Sequence, residues 1–320
     1  MELIPRKRLE LYSGTAHPQL GADIAGHLGV ELGEPNLKRF ANGEIHCRYN
    51  ESVRGTDVFI VQTHAEPVND SIMEQLIMID AAKRASAKRI TAVCPYYGYS
   101  RQDRKAEGRE PITAKLVSDM LAAAGADRIV SVDLHSGQIQ GFFDGPVDHF
   151  YAMPVLEACI REEVSTAPVI VAPDTGRVKA AERLARHLDA DLAAVYKRRA
   201  SGEVKALGVM GDVAGRHCIL VDDMIDTAGT IVAAADVLLA QGATEVWAMA
   251  THGVLSYPAT DRLKNSKIGR VVITDTLPLP SEKRIDKIEV VTVSKLIADA
   301  IDAVFEDTSV SELFGGENQG

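Results

Sequence analysis

Short apolar runs alternate with segments of helical period along most of the chain. The runs are rich in β-branched residues and cover Val58–Val61, Ile90–Val93, Ile129–Val132, Val169–Val171, Cys218–Val221, Val246–Met249 and Val271–Ile273. Between them, apolar residues recur at i, i+3 and i+4 spacing, as in Val178, Ala181, Leu184, Ala185 and Leu188. Strands that alternate with amphipathic helices are typical of βαβ units, so the pattern predicts doubly wound, mainly parallel α/β sheets flanked by helices.

An internal repeat divides the chain into two halves. The segment from Val58 to Gly98 reads strand, loop, helix and strand, and the segment from Cys218 to Gly253 repeats that order. Two similar α/β domains explain the repeat. We therefore expect an N-terminal domain over residues 1–152, a C-terminal domain over 153–308, and a tail over 309–320 whose last residues are disordered.

Composition and charge narrow the possible partners. The 320 residues include 35 Lys and Arg against 45 Asp and Glu, a formal net charge of −10, which disfavours a general surface for nucleic acid or anionic membrane. No apolar run approaches the ~20 residues of a transmembrane helix, and no signal peptide is visible, so we expect a cytoplasmic protein. The four cysteines lie far apart without a Cys-x-x-Cys pair, which predicts reduced thiols in the core.

The most informative segment is an acidic run that follows a predicted strand. It reads Asp222-Asp223-Met-Ile-Asp226-Thr227-Ala228-Gly229-Thr230 and leads into a predicted helix. Hydroxyl side chains and a glycine before a helix N-terminus can wrap a phosphate with backbone N–H groups. Asp222 and Asp223 would repel that phosphate, and they are better acceptors for the vicinal hydroxyls of an attached sugar. The run therefore predicts a sugar-phosphate site at the carboxyl end of a strand.

Two segments of the first half carry groups suited to a nucleotide. The segment Tyr96–Lys105, together with Arg109, gathers cations and aromatic rings in one loop that can stack a purine and screen a polyphosphate. The segment Arg39–Glu44 places an aromatic ring beside groups that could read an adenine edge. By itself this second segment also fits an ordinary β-turn.

Taken together, these segments resemble the class I ribose-phosphate pyrophosphokinase family over nearly the whole chain. The acidic run alone resembles the ribose-5-phosphate-binding motif of the type I phosphoribosyltransferase fold, which other families share. The matching pieces are Phe40–Glu44, Glu51–Gly55, Arg101–Lys105, Val132–Ser136, Gln138–Phe143, Pro173-Asp174, Lys197–Arg199, Asp222–Thr230 and Thr251–Gly253. The resemblance implies two phosphoribosyltransferase-like domains and transfer of the β,γ-diphosphoryl group of ATP to the 1-hydroxyl of ribose 5-phosphate. The products would be phosphoribosyl pyrophosphate, for nucleotide, histidine and tryptophan biosynthesis, and AMP.

The resemblance also implies roles for individual residues. ATP would be bound by Phe40, Asn42, Glu44, Arg101 and Gln102. Ribose 5-phosphate would be bound by Arg199, Asp222, Asp223, Asp226, Thr227, Ala228, Gly229 and Thr230. His135 and Asp174, which each follow a predicted strand, would contact Mg²⁺, with two ions per active site. Lys197 and Arg199 would stabilise the charge on the transferred group, and as i, i+2 residues of an extended chain they would project to one face.

Regulation and assembly are implied in the same way. Class I members form hexamers that phosphate activates and ADP inhibits at a site between subunits. The positions that match this site are Ser52, Arg54, Arg104, Lys105, Ser309 and Ser311.

Two departures and two alternatives accompany this interpretation. Arg177 stands where many relatives carry a second glycine, and the flap after Arg199 is slightly shorter than in some relatives. A nucleobase phosphoribosyltransferase is the alternative enzyme, against which Arg101-Gln102 and the repeat argue. A regulatory subunit that has lost activity is the alternative without catalysis. The presence of His135, Asp174, Lys197 and Arg199 and the uninterrupted run Asp222–Thr230 argue against it.

Overall fold

The computed structural model describes residues 7–164, 167–200 and 203–310, without the side chains of residues 197–200 and 203–207. Contacts divide the chain into two compact units. The first unit extends to Tyr151 and takes in Thr276–Pro278 and the segment that begins at Val293. The second comprises Ala152–Asp275 and Leu279–Thr292. Residues 311–320, which include the end of the tail predicted to be disordered, lie outside the described residues.

The elements follow one another in the order that the apolar pattern predicts. In chain order the strands are β1 (Leu9–Ser13), β2 (Leu32–Gly33), β3 (Asn36–Arg39), β4 (Ile45–Arg48), β5 (Asp57–Val61), β6 (Arg89–Cys94), β7 (Arg128–Val132), β8 (Val147–Phe150), β9 (Val169–Ala172), β10 (Asp191–Ala200), β11 (Glu203–Met210), β12 (His217–Ile225), β13 (Glu245–Gly253), β14 (Arg270–Thr274) and β15 (Ile288–Val291). The helices are α1 (Pro18–Leu28), α2 (Val68–Arg84), α3 (Thr113–Ala124), α4 (Met153–Glu163), α5 (Val178–Leu188), α6 (Gly229–Ala240), α7 (Ala259–Asn265) and α8 (Ser294–Phe305). None of the described helices is long and apolar enough to cross a membrane.

The two sheets share one topology. The first has the strand order β2-β1-β5-β6-β7-β8, and the second has β11-β10-β9-β12-β13-β14-β15. Counted along the chain without β3, β4 and β11, both sheets have the order 2-1-3-4-5-6 with every pair parallel. The separate hairpin β3–β4 and the edge strand β11 are antiparallel additions. The predicted fold class of two similar, mainly parallel α/β sheets is confirmed.

Each unit contains a helix that follows the last strand of the other unit. Helix α4 comes after β8 but belongs to the second unit, where it packs against α5. Helix α8 comes after β15 but belongs to the first, where it packs against α1 and buries Ile297, Ala298, Ile301 and Val304. The predicted domain over 153–308 therefore includes residues from Val293 onward that the structure groups with the first unit. The reason is that α1, and not the second sheet, covers the apolar face of α8.

The central strands explain the apolar runs. Strands β5 and β9 are buried along their whole length, as expected where helices cover both faces of a parallel sheet. Cys94, Cys159 and Cys218 are buried, Cys47 is half-buried, and all four are free thiols, as the sequence predicts. In open α/β sheets of this kind, ligands bind at the loops that follow the carboxyl ends of the strands, so we expect the functional residues there.

Candidate active-site loops

In the second unit, the acidic run lies where β12 meets α6. Asp222 and Asp223 still belong to β12, and only Asp226, Thr227 and Ala228 form the turn before α6 begins. Ala228 is buried and adopts the left-handed conformation, with φ of 59°. An alanine pays a steric cost there that glycine would not. The turn places the N-terminus of α6 at the carboxyl end of β12, next to the exposed residue Thr227.

The turn is held from outside by the segment around α7. Arg262 Nη1 donates a hydrogen bond to the carbonyl oxygen of Thr227 across 2.9 Å. A Cβ placed on Gly229 would lie 3.3 Å from the same nitrogen, so the guanidinium packs closely on the first residue of α6. The N–H of Leu255 donates to the carbonyl of Ile225 at 2.9 Å. Sequence reasoning missed Arg262, because a single arginine on a short helix carries no recognisable signal.

Arg177 contacts both carboxylates at the end of β12. Its Nε lies 3.0 Å from Asp222 Oδ1, and its Nη2 lies 2.5 Å from Asp223 Oδ2. Burial, with the adjoining Asp223, raises the pKa of Asp222 to about 8, and Arg177 opposes that rise. The sequence marked Arg177 as a departure from the family pattern but did not predict this contact.

Asp174 lies at the same edge, in the turn after β9, the strand next to β12. Its Oδ1 accepts a hydrogen bond from the N–H of Gly176 at 2.8 Å, which caps the helical turn Thr175–Arg177. The residue is exposed, so the carboxylate remains accessible to a cation from the solvent. The structure thus brings Asp174 and the acidic run of β12 to one edge of the second sheet.

Lys197 and Arg199 lie on β10, which pairs with β11 in an antiparallel hairpin. The backbone register shifts between Arg198 and Arg199. A bulge at this point interrupts strict alternation, so the prediction that the two cations share a face no longer follows from i, i+2 spacing alone. The side chains of both residues lie outside the described part of the structure.

In the first unit, the residues Phe40, Asn42 and Glu44 form the tip of the β3–β4 hairpin. The N–H of Phe40 donates to the carbonyl of Glu44 at 2.8 Å, and Asn42 Oδ1 accepts from the N–H of Glu44 at 3.2 Å. Phe40 is 52% exposed, and its ring lies at 61° to the ring of His46, with the two centroids 5.9 Å apart. The hairpin therefore presents a ring face on which a planar base can stack.

The loop after β6 is only partly available to a ligand. Gln102 Oε1 accepts a hydrogen bond from Thr113 Oγ1 at 2.5 Å, which ties the loop to the first residue of α3. Tyr97 is buried and donates from its hydroxyl to the carbonyl of Ala114 at 3.0 Å. Tyr97 is therefore not available to stack a purine, because its ring belongs to the core. Arg101 is exposed.

Two contacts connect the hairpin to this loop through the start of α2. Arg39 Nη1 lies 2.9 Å from Asp70 Oδ2, and the hydroxyl of Tyr99 donates to the side chain of Asn69. Asn69 and Asp70 belong to the first turn of α2, which follows β5. The hairpin, through Arg39, and the loop after β6, through Tyr99, thus both contact the first turn of α2.

His135 belongs to the neighbouring loop, which follows β7. The N–H of Leu134 donates to His149 Nε2 at 2.8 Å, and Gln138 Nε2 donates to Asp103 Oδ2 at 2.5 Å. The second of these hydrogen bonds ties the His135 loop to the loop that contains Arg101 and Gln102. His135 therefore lies at the same edge as the predicted ATP-binding residues.

The residues matched to an effector site lie at both edges of the first sheet. Ser52 and Arg54 precede β5, at the amino edge. Ser309 follows Asp307, whose carboxylate lies 2.7 Å from Arg89 Nη1 at the start of β6, so it lies at that edge too. The pair Arg104-Lys105 lies beyond β6, at the carboxyl edge. Ser311 lies outside the described residues, and one chain does not bring the other five together.

Comparison with known proteins places both units in one family. Residues 9–125 match the family model described as the N-terminal domain of ribose phosphate pyrophosphokinase, and residues 193–315 match the phosphoribosyl synthetase-associated domain. The chain is 55% identical over 312 residues to the ribose-phosphate pyrophosphokinase of Streptomyces avermitilis, with 96% of each chain covered. The chain belongs to the ribose-phosphate pyrophosphokinase family.

Other members agree in sequence and in structure. The ribose-phosphate pyrophosphokinase of Bifidobacterium longum is 56% identical over 317 residues, which cover 97% of this chain and 93% of that one. The crystal structure of phosphoribosylpyrophosphate synthetase from Mycobacterium smegmatis superposes with a TM-score of 0.90 and 51% identity, covering 94% of this chain and all of that chain. The predicted family and the phosphoribosyltransferase-like fold are both confirmed.

As a ribose-phosphate pyrophosphokinase, the chain distributes its predicted site residues between the two units. The carboxyl edge of the first sheet holds the hairpin tip, the Arg101 loop and the His135 loop. The carboxyl edge of the second holds Asp174 and the acidic run. The roles of the individual residues remain predictions.

Proposed function

We propose that this chain transfers the β,γ-diphosphoryl group of ATP to the 1-hydroxyl of ribose 5-phosphate and releases AMP and phosphoribosyl pyrophosphate. The observation that carries this proposal is the agreement with ribose-phosphate pyrophosphokinases over both units at more than half identity. A nucleobase phosphoribosyltransferase does not account for the match of residues 9–125. The uninterrupted run Asp222–Thr230 argues against an inactive regulatory subunit.

The acceptor sugar phosphate fits the acidic loop of the second unit. The phosphate accepts hydrogen bonds from the N–H groups at the start of α6 and from the hydroxyls of Thr227 and Thr230. Asp226 lies beside the phosphate, in the turn before α6. The sugar hydroxyls donate to Asp222 and Asp223. ATP fits the carboxyl edge of the first sheet, where the adenine stacks on Phe40 and the polar groups of Asn42, Glu44, Arg101 and Gln102 read its edges and phosphates.

Magnesium suits the donor groups that the chain offers. Asp174 is an exposed carboxylate held by a turn, and His135 is an imidazole held in a loop by its neighbours. Mg²⁺ keeps several waters and takes few protein ligands when phosphate oxygens complete its shell, so one side chain per ion suffices for two ions. When bound, the ions offset charge on the triphosphate and on the sugar oxygens. Lys197 and Arg199 of the β10–β11 hairpin add cationic charge for the transferred group.

We also propose that the active form is a homo-oligomer, as in the hexameric members of the family, with phosphate and ADP as effectors. The five described effector-site residues occupy opposite edges of the first sheet. Strands of five or six residues separate these edges by roughly 17–20 Å, too far for one small anion to contact both. A second copy of the chain would supply the residues that complete the effector site. Sedimentation velocity with and without phosphate tests this assembly.

The catalytic proposal is tested by incubating the purified chain with ATP, Mg²⁺ and ribose 5-phosphate and separating the nucleotides by chromatography. AMP must appear in proportion to phosphoribosyl pyrophosphate. We expect Asp223→Asn to lower kcat/KM for ribose 5-phosphate roughly 10- to 100-fold, since hydrogen bonds to charged groups contribute about 1.5–3 kcal/mol. Asp236→Asn, an exposed position on α6, is the matched control and should leave the rate unchanged. Formation of ADP in place of AMP would overturn the proposal.

A further inference from the structure

Arg177 connects two neighbouring strands of the second sheet by bridging to the acidic pair. It directly precedes α5, in the turn after β9, and the pair lies at the end of the adjacent parallel strand β12. Different nitrogens of its guanidinium contact different residues, Nε with Asp222 at 3.0 Å and Nη2 with Asp223 at 2.5 Å. A planar fork that engages two carboxylates at once restricts the rotation of both.

The pair needs such a partner because it is withdrawn from water. The side chains of Asp222 and Asp223 are 17% and 6% exposed, and that of Arg177 is 19% exposed. Two adjacent carboxylates in a poorly solvated site repel each other, and burial favours their protonated forms. Among the described residues, the charges that act on Asp222 are those of Asp223 on its own strand and of Arg177. A protonated carboxyl has lost acceptor capacity that a sugar hydroxyl requires.

We propose that Arg177 is a positioning residue for the acceptor sugar. It holds Asp222 and Asp223 in one shared orientation and supplies a counter-charge that opposes their protonation, which favours their acceptance of hydrogen bonds from the hydroxyls of ribose 5-phosphate. This inference rests on the proposed function, because it assumes that the pair receives the sugar. Arg177 acts through the two carboxylates, so its loss affects binding of the sugar more than the rate of diphosphoryl transfer.

Two substitutions separate the charge of Arg177 from its geometry. Arg177→Gln removes the positive charge and keeps a side chain that can donate hydrogen bonds. Arg177→Lys keeps the charge and removes the fork. Arg186→Gln is the matched control, because it changes an exposed arginine in the last turn of the same helix.

The experiment measures ribose 5-phosphate binding by titration calorimetry without nucleotide, from pH 6.5 to 9.5, and steady-state kcat and KM in parallel. For R177Q we expect the affinity for ribose 5-phosphate to fall about tenfold, since a nearby cation lowers a carboxyl pKa by roughly 1–3 units. For the same reason, the acid limb, which is the pH range where affinity is lost as the carboxylates become protonated, should move up by about one pH unit or more. We expect kcat to change less than KM. R177K should restore the acid limb but only part of the affinity, and R186Q should match the wild type.

Opposite results overturn the inference. Tighter binding by R177Q would mean that Arg177 competes with the sugar for the carboxylates, and overlapping pH curves would mean that the pair does not depend on it. If R177Q melts below the assay temperature, R177K decides alone, because full affinity in R177K excludes the positioning role. Failure of the proposed function is distinguishable, since the wild type would then neither bind ribose 5-phosphate nor form AMP.

Discussion

The guanidinium of Arg262, on α7, is hydrogen-bonded through Nη1 to the main-chain carbonyl of Thr227, in the turn before α6, at 2.9 Å. Two elements separated in sequence by α6 and β13 therefore meet at the loop proposed to hold the sugar phosphate. The contact restrains the backbone of a loop whose next residue, Ala228, is in a strained conformation.

We expect Arg262→Gln to raise the KM for ribose 5-phosphate about fivefold, because an exposed charged hydrogen bond contributes on the order of 1 kcal/mol to holding the turn. The kcat should change little. Steady-state kinetics check this result, with Lys264→Gln as the control, since Lys264 is an exposed cation on the same helix. Equal KM values for the two variants would show that the turn holds its shape without Arg262.

Ala228 offers a test of the strained turn. We expect Ala228→Gly to change the free energy of unfolding by less than about 1 kcal/mol, because relief of the left-handed strain offsets the greater freedom of the unfolded chain. Ala228→Val should lower it by roughly 2–3 kcal/mol and abolish sugar-phosphate binding, since a β-branched residue is a severe outlier at positive φ. Urea unfolding of both variants, beside Ala233→Val at an exposed position of α6, provides the measurement. A stable Ala228→Val would contradict the assigned conformation.

Glu74 is a buried carboxylate that organises the loop after β1. It accepts hydrogen bonds from the N–H of Thr15 at 2.6 Å and from Gln62 Nε2 at 2.7 Å. We expect Glu74→Gln to lower the free energy of unfolding by roughly 2 kcal/mol, because both of these hydrogen bonds then go to a neutral acceptor, and a neutral hydrogen bond contributes about 1 kcal/mol less than a charged one. Asp80→Asn, a half-exposed position on the same helix, should cost less than about 1 kcal/mol. Equal losses in the two variants would contradict this account.

His64 predicts a pH dependence of stability. Its Nδ1 accepts from the N–H of Gly98 at 2.8 Å, its Nε2 lies 2.9 Å from Gln75 Oε1, and burial lowers its pKa to about 4 from the ordinary 6.5. Between these two values the unfolded chain binds a proton that the folded chain excludes. The free energy of unfolding therefore falls as the pH drops through that window, by up to about 1.4 kcal/mol per pH unit.

The contribution of His64 is measured by comparing how steeply the free energy of unfolding changes with pH in the wild type and in His64→Gln. His64→Gln cannot take up a proton, so its free energy of unfolding should decrease less steeply between pH 6.5 and 4 than that of the wild type. Denaturant titrations at half-unit steps of pH measure both slopes. Parallel slopes would mean that His64 is protonated in the folded chain at these pH values.

The sequence by itself determined the features that depend on local spacing. The alternation of apolar runs with helical periods and the repeat of strand, loop and helix predicted two similar parallel sheets, because burial imposes these periods on neighbouring residues. The acidic run Asp222–Thr230 was recognisable for the same reason, since the turn and the start of α6 are continuous in the chain. The family assignment followed from many such local pieces in order.

The tertiary structure decided what depends on residues far apart in the chain. Arg177 meets Asp222 and Asp223, and Arg262 meets Thr227, only because β-strands and helices distant in sequence become neighbours. The ring of Tyr97 belongs to the core although its sequence context suggested a nucleotide site. The sequence also could not predict which unit α4 and α8 pack in. An amphipathic pattern shows that one face of a helix must be covered but not which surface covers it.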